Sequence, residues 1–207
     1  MVVPRGSSRV HAPGQSPFHA KGNLWLGIRD FVEQRVDGGV PAVLKHLAAD
    51  VAAFFTQELL AVSWYDVLPA VDVAAGIAKA MGVTVQEYQR VSAVWQAERD
   101  LNGAYAPVLK RDTPEGVCRR FANIYSLMYD FGRVEILSVE GQSVRACCYG
   151  MPEPLAAWWM NASEFYTDYV LFAAGGRNPR LVWDPTISDG ERSGVPLVRI
   201  PSTTAWD

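Results

Sequence analysis

Cysteine and histidine are scarce in this sequence of 207 residues, which has three of each. The number of cysteines is odd and two of them are adjacent, so neither a disulfide framework nor a zinc spacing follows. Nucleophilic catalysis needs a nucleophile beside an oriented base, and no pairing of these residues provides one. The sequence therefore predicts no catalytic residues and no metal site, and it favours a protein that is not an enzyme.

Long apolar runs and a strong charge of one sign are also missing. No uninterrupted run of about 18 apolar residues occurs, so no membrane-spanning helix is expected. The first twenty residues lack the apolar segment of a signal peptide, so a cytoplasmic location is the default expectation. The formal net charge is −3. No overall positive field attracts nucleic acid or an anionic membrane.

The composition predicts one domain with two short tails. Residues 1–20 are rich in Pro, Gly and Ser and show no periodicity, so they are expected to be a disordered tail, part of which resembles a protease-site remnant. Residues 21–200 carry the periodic patterns and are predicted to form a single α+β domain. Residues 201–207 are assigned to a C-terminal tail. Nearly half of all residues are hydrophobic, which is enough for a core.

The clearest local pattern lies in the middle of the chain. Asp112-Thr113-Pro114-Glu115 is typical of a helix start, and an apolar face follows it as far as Met128. Two runs of β-forming residues, within 131–149, flank a short turn that contains Gly141, and they predict a β-hairpin. A second long amphipathic helix begins near Pro154 and ends at a Gly-Gly pair.

The segments on either side complete an α+β fold. Five helices are predicted before residue 104, the last of them opened by a capping box at residues 84–87. Two further strands are predicted at residues 181–184 and 197–200, with a polar loop over 185–196 between them. The predicted architecture is an N-terminal helical lobe followed by a β-hairpin, a long helix and two strands, which together form a four-stranded antiparallel sheet.

This order of elements resembles that of the haem nitric-oxide/oxygen-binding domains and of the related 4-vinyl-reductase-like domains that bind small molecules. It also resembles an uncharacterised family of short myxobacterial proteins. The short motifs that carry the resemblance lie at residues 21–25, 63–65, 130–135 and 165–176. The resemblance covers about residues 21–200, and it implies a fold and a pocket for a small molecule but no particular activity.

The haem branch of this resemblance requires an axial histidine in the lobe and a Tyr-x-Ser-x-Arg motif for the propionates. The three histidines are His11, His19 and His46, and none lies in the segment 101–110 where the ligand is expected. That segment does contain Tyr105, and a tyrosine can ligate haem. Residues 125–129 do not supply the motif. The sequence therefore predicts a protein with no cofactor, in which haem is not expected.

Aromatic residues of the second long helix exceed what one buried stripe needs. Trp158 and Phe165 are predicted to be buried beneath that helix, and Trp159 to point towards a pocket or an interface. The surplus could pack against the lobe, line a ligand pocket or form a dimer interface. The residues predicted to bind a small apolar ligand are Trp64, Trp95, Tyr105, Trp159, Tyr166 and Tyr169.

Two arginines after the long helix are the predicted anion site. Arg177 and Arg180 flank an Asn-Pro pair, and a pair of guanidinium groups can bind a carboxylate or a phosphate. Surface solubility and salt bridging are the simpler explanation for both residues.

Three hypotheses for the function remain open. The first is a non-enzymatic ligand-binding or sensory module, with an apolar pocket between the helical lobe and the sheet, which passes its signal to a separate protein. The second is a protein-interaction or dimeric scaffold module with no small-molecule ligand. An enzyme is the third. A pocket with a few convergent polar groups favours the first, and a filled core with an exposed apolar patch favours the second.

Overall fold

The structure is a computed structural model that describes residues 9–103, 106 and 113–207. Seven helices and seven strands form within these residues. The helices are α1 (Gly22–Arg35), α2 (Gly39–Leu44), α3 (Ala49–Thr56), α4 (Ala70–Met81), α5 (Val85–Asn102), α6 (Pro114–Met128) and α7 (Glu153–Ala173). The strands are β1 (His19–Lys21), β2 (Trp64–Asp66), β3 (Arg133–Glu140), β4 (Ser143–Pro152), β5 (Arg180–Trp183), β6 (Ile187–Arg192) and β7 (Val195–Ala205). The predicted α+β class, with the helices leading, is confirmed.

The predicted central helix and hairpin are both present. Thr113 caps α6, because its hydroxyl accepts a hydrogen bond from the N–H of Gly116. Strands β3 and β4 pair antiparallel, with Glu140 opposite Ser143 at the turn. Gly141 has a φ of 59°, a conformation that favours glycine. The capping box predicted at the start of α5 forms between Thr84 and Glu87.

The main sheet has five strands, not the four that the sequence predicted. Its order is β3-β4-β7-β5, and β6 pairs with another part of β7. The missed strand β6 lies in the segment that was predicted to be a polar loop. It is almost entirely exposed and contains Gly190, so it shows no apolar alternation by which a strand is recognised. Strands β1 and β2 form a separate two-stranded sheet.

Both predicted domain boundaries fall at strands. Strand β1 starts at His19, before the predicted boundary at residue 21, and β7 continues to Ala205, beyond residue 200. Within the segment that was expected to be a disordered tail, Phe18 is fully buried and its ring contacts that of Phe131 at a centroid distance of 5.4 Å. Pro, Gly and Ser set the composition of this segment, so a single buried aromatic residue left no periodic signal.

The buried carboxylate of Asp66 holds this N-terminal segment against the lobe. It is 3% exposed. It accepts hydrogen bonds from the N–H groups of Gly14, Ser16 and Leu68 at 2.9, 3.2 and 2.9 Å, and from the hydroxyl of Ser16 at 2.6 Å. A buried carboxylate needs such partners to offset its desolvation. Asp66 thereby links the N-terminal segment, β2 and the approach to α4.

Helix α7 lies between the lobe and the sheet, where it packs on α5 and α4 and also on β5, β7 and β4. Its buried residues are Leu155, Ala156, Thr167, Val170 and Leu171. Trp158 and Phe165 are only partly buried, so their predicted burial is not seen. The prediction assumed one buried stripe, whereas a helix between two partners buries parts of two faces. No helix within the described ranges is long and apolar enough to span a membrane.

Replacing Asp66 with Ala should lower the free energy of unfolding by roughly 2–4 kcal/mol, because several buried donors would lose their acceptor. Chemical denaturation measures the change. Asp72→Ala is the matched control. The side chain of Asp72 is 40% exposed and pairs with Arg9 at 3.1 Å, and a surface pair of this kind contributes about 0–1 kcal/mol. Equal losses in the two variants would contradict the role given to Asp66.

Asp168→Asn should stabilise the protein near neutral pH. The carboxylate of Asp168 accepts a hydrogen bond from the N–H of Leu181 at 2.9 Å. Burial raises the pKa of Asp168 from 3.8 to about 6, and the charge of Glu164 adds to the rise. The hydrogen bond from Leu181 acts in the opposite direction and lowers the pKa. The folded state therefore binds the proton more tightly than the unfolded state does. The contribution of Asp168 to the free energy of unfolding is greatest below pH 3.8 and is lost as the pH rises through about 6.

The asparagine keeps an acceptor for Leu181 without the charge. The denaturation midpoint of Asp168→Asn should exceed that of the wild type near neutral pH, and the difference should shrink towards about pH 4. The control is Asp37→Asn, at an exposed aspartate. A variant that is less stable than the wild type near neutral pH would show that the charge itself is required.

Candidate functional site

A cavity of about 540 Å³ lies between the helical lobe, α6, α7 and the sheet. Residues of α1 and α5 form its lobe side, and residues of α6 and α7 form the walls that join the lobe to the sheet. Side chains from β3, β4, β5 and β7 close it on the sheet side. The lining is predominantly apolar, and the volume falls in the range of about 300–1,000 Å³ that is usual for small-molecule sites.

A row of aromatic rings joins α6, α7 and β5 at the cavity. The ring of Trp159, on α7, lies 5.9 Å from that of Tyr125, on α6, and 5.3 Å from that of Trp183, on β5. Trp158 also lines the cavity, and Trp95 lines it on the lobe side, where it contacts Phe31 at 5.7 Å. Large flat rings on several walls suit a flat apolar ligand.

Polar contacts between α5 and α7 hold these walls at a fixed separation. Gln89 is 1% exposed. Its amide nitrogen donates to the carbonyl of Trp158 at 2.8 Å, and its amide oxygen accepts from the side chain of Asn161 at 3.2 Å. The hydroxyl of Tyr166 donates to the carboxylate of Asp100 at 2.9 Å. The pKa of Asp100 is raised by burial, and the hydrogen bond from Tyr166 opposes the rise.

Residues of α1 and α5 line the lobe end of the cavity. Arg99 lines it there and remains about half exposed, paired with Asp30 at 2.8 Å. Gly27 of α1 also lines this end. A side-chain carbon at Gly27 would lie 2.8 Å from the amide oxygen of Gln96, so the glycine allows α1 and α5 to approach closely here. We call the Gly27, Gln96 and Arg99 end the lobe end.

Hydroxyl groups interrupt the apolar lining on the sheet side. Thr167 of α7 and Ser202 and Thr204 of β7 all line the cavity, and they are 7%, 8% and 7% exposed. Their hydroxyls form no hydrogen bond with any described residue. These three side chains, the hydroxyl wall, are polar groups that the fold itself leaves available.

Two thiols also line the cavity. Burial raises the pKa of Cys118 to about 11 and that of Cys148 to about 12. Both are therefore protonated at neutral pH, which disfavours nucleophilic chemistry. Cys147 is buried as well. No cluster of three or more metal-ligating side chains occurs among the residues that the structure describes.

The structure brings together three of the predicted ligand-binding residues, Trp95, Trp159 and Tyr166. Trp64 is not at the cavity. It lies on β2, 42% exposed, beneath the amine of Lys21 at 3.7 Å. Tyr169 does not line the cavity either, and its hydroxyl donates to Glu98 at 3.1 Å. Tyr105 falls outside the described residues.

The predicted anion site also lies away from the cavity, since Arg177 and Arg180 are exposed and neither lines it. Sequence reasoning missed the α6 wall and the hydroxyl wall. The alternation along β7, which places Ser202 and Thr204 on one face, was the available signal. It was overlooked because residues 201–207 were assigned to a tail.

Comparison of the sequence with protein-family models and with curated proteins found no match. Comparison of the structure found solved structures of H-NOX domains. One is an oxygen-binding H-NOX domain related to soluble guanylate cyclases, with a TM-score of 0.60 and 10% identity, over 90% of this chain and 92% of that one.

Two further neighbours agree with it. The H-NOX protein of T. tengcongensis matches with a TM-score of 0.63 and 10% identity, over 90% of this chain and 97% of that one. An Fe(II) unliganded H-NOX protein from K. algicida matches with a TM-score of 0.56 and 8% identity, over 90% of this chain and 96% of that one. At this level of identity the likeness concerns the fold.

The prediction that the protein has no cofactor, and that haem is not expected, is contradicted by this comparison. Structures that share the fold concern heme distortion in the H-NOX family and heme redox potential. The prediction weighed the absence of a histidine in the segment 101–110 more heavily than the resemblance in the order of elements.

The described lining of the cavity suits the flat ring of a haem but not its iron. Its volume and aromatic walls suit a flat apolar ring. For the iron, the described lining offers no histidine. None of the three histidines is in the described lining. The Nε2 atom of His11 lies 3.0 Å from the carbonyl oxygen of Ser193, and the Nδ1 atom of His19 lies 2.6 Å from the carboxylate of Asp130. His46 follows α2. The thiols of Cys118 and Cys148 are held protonated.

The chain has the H-NOX fold.

Proposed function

We propose that this chain is a ligand-binding sensory module that takes a flat, apolar small molecule in the cavity between lobe and sheet. It passes the resulting change to a separate protein. The observation that carries the proposal is the cavity itself, which has a volume of about 540 Å³ and is lined by tryptophans from three elements. Apolar burial is the main source of affinity in such a site, at about 25 cal/mol for each Å² removed from water.

The arrangement of the walls supports a sensory role. Helix α7 contacts both α5 and the sheet, and its link to α5 includes the hydrogen bonds of Gln89 at the cavity wall. A ligand that presses on Trp158 or Trp159 therefore acts on a helix that joins the two halves of the fold. Binding energy that differs between two positions of α7 is what such a signal requires.

Haem is one of the ligands to test, because the solved structures with this fold concern haem. The aromatic walls would hold the ring of a haem, and Arg99 at the lobe end would pair with a carboxylate. Other flat apolar molecules of similar size use the same walls.

A second candidate function, a protein-interaction or dimeric scaffold, is favoured by one surface loop. Leu60 and Val62 are 59% and 78% exposed and lie beside Trp64. The loop is held in place, since the N–H of Leu60 donates to the hydroxyl of Tyr65 and the amine of Lys21 donates to the carbonyl of Val62. If the scaffold function is correct, Val62→Glu should lower the oligomeric state in analytical ultracentrifugation. The sensory proposal predicts no change.

Filling the cavity tests the proposed function. Ala162 lines the cavity from α7, and Ala162→Trp should abolish ligand binding or weaken it at least about tenfold, because the indole occupies the ligand's space. Native mass spectrometry detects any molecule that remains bound after purification. Fluorescence and absorbance titrations with 1-pyrenemethanol and with haemin then measure stoichiometry.

The matched control is Ala157→Trp, on the exposed side of the same helix. We expect binding of at least one molecule in a 1:1 ratio to the wild type and to Ala157→Trp, and its loss in Ala162→Trp. Equal binding by the two variants would place the ligand elsewhere. Binding of no ligand by the wild type would overturn the proposed function.

A further inference from the structure

The hydroxyl wall is one part of the cavity lining that the apolar proposal does not explain; the hydroxyl of Tyr125 and the indole nitrogen of Trp183, on other elements, are also buried without a partner among the described residues. Thr167, Ser202 and Thr204 are each more than nine-tenths buried, and their hydroxyls have no partner among the described residues. A buried hydroxyl without a partner costs free energy, so such groups in an apolar lining need a bound molecule or water. Three of them at one wall define a place where a polar group of the ligand can be bound.

The inward face of β7 changes from apolar side chains to hydroxyl side chains where the strand lines the cavity. Along this face Val198 and Ile200 are buried apolar residues, and Ser202 and Thr204 follow at the same spacing. Valine at position 204 would continue the apolar face with almost the same shape. The hydroxyls therefore add nothing that packing requires, and they occur where the strand meets the cavity.

One hydrogen bond and the strand pairing connect α7 with β7 through β5. Asp168, next to Thr167, accepts the N–H of Leu181, and Leu181 pairs with Thr204 in the sheet. Leu181 also lines the cavity, so one residue of the lining connects the α7 segment that carries Thr167 with the β7 segment that carries Thr204. A hydroxyl both donates and accepts, so the group they bind can be a hydroxyl, a carbonyl or an amide.

Charged side chains that line the cavity lie elsewhere. Arg99 and Asp100 are the two within the described lining, both on α5. Arg99 pairs with Asp30, and Asp100 accepts hydrogen bonds from Tyr166 and Gln96. The hydroxyl wall thus faces the ligand with neutral groups, which suit a neutral partner better than an ion.

We propose that the ligand of this cavity is a flat apolar molecule bearing a neutral oxygen-containing group, which Ser202, Thr204 and Thr167 bind at the sheet side. This inference rests on the proposed function and adds the chemical class of the ligand. It makes Ser202 and Thr204 determinants of specificity, while the tryptophans supply most of the affinity.

A pair of probes that differ by one hydroxyl tests the inference. 1-Pyrenemethanol and 1-methylpyrene share the flat apolar body, and their dissociation constants can be measured by fluorescence titration. Thr204→Val and Ser202→Ala should each weaken binding of 1-pyrenemethanol by about threefold to tenfold, the value of one hydrogen bond. Binding of 1-methylpyrene should stay unchanged or tighten.

Thr203→Val is the matched control, since Thr203 is the neighbouring residue on the opposite face of β7 and does not line the cavity. It should affect neither probe. Equal effects of Thr204→Val on the two probes, or no effect on either, would overturn the inference while the proposed function stands. Tighter binding of 1-pyrenecarboxylate than of the alcohol would also overturn it, and would assign the polar contact to Arg99. Failure of every pyrene to bind a wild type that binds haemin would overturn the inference alone, and binding of no ligand at all would overturn the proposed function itself.

Discussion

Helix α7 packs against two unlike surfaces, and the rest of the structure depends on this double contact. One side meets α5 and α4 of the lobe, and the other meets β4, β5 and β7. A helix is about 10–12 Å across with its side chains, so it cannot fill all the space between a lobe and a twisted sheet. The remaining space, closed by α6, is the cavity. Trp158 and Trp159 are partly exposed because they border it.

Satisfied polar groups keep that space open. Gln89 and Asp100 bond to α7 from α5, and both lie at the cavity wall. An apolar contact at these positions could slide as the walls collapse, whereas a buried hydrogen bond has a preferred length and direction. The same reasoning applies to Asp66, whose carboxylate holds the N-terminal segment against the lobe. Buried polar residues thus determine the separation of elements that apolar packing alone would bring together.

The likeness to H-NOX domains and the lining of the cavity bear on different questions. The fold is what this chain shares with such a domain, at about 10% identity. The side chains decide what the cavity holds, because fold and site chemistry vary independently. Here the described lining combines aromatic walls, protonated thiols and the hydroxyl wall. That combination carries the proposal of an apolar ligand with a neutral polar group.

The sequence alone determined the order and type of most elements. Caps at Thr84 and Thr113, the glycine turn at Gly141 and the apolar periods are local features, and local features set helices and hairpins. It also identified Trp95, Trp159 and Tyr166 as ligand-binding candidates. Strand β6 escaped detection, because an exposed edge strand needs no apolar alternation.

Only the tertiary structure decided which of these residues meet. A period of 3.6 shows that α7 has apolar faces, but it does not show that lobe and sheet both cover them. That is why the burial predicted for Trp158 and Phe165 was not found. Trp64 and Trp95 were both predicted to bind the ligand, yet Trp64 lies on the surface and Trp95 lines the cavity. Their separation, like the presence of Thr167, Ser202 and Thr204 in one cavity lining, results from long-range packing, which depends on all the elements at once.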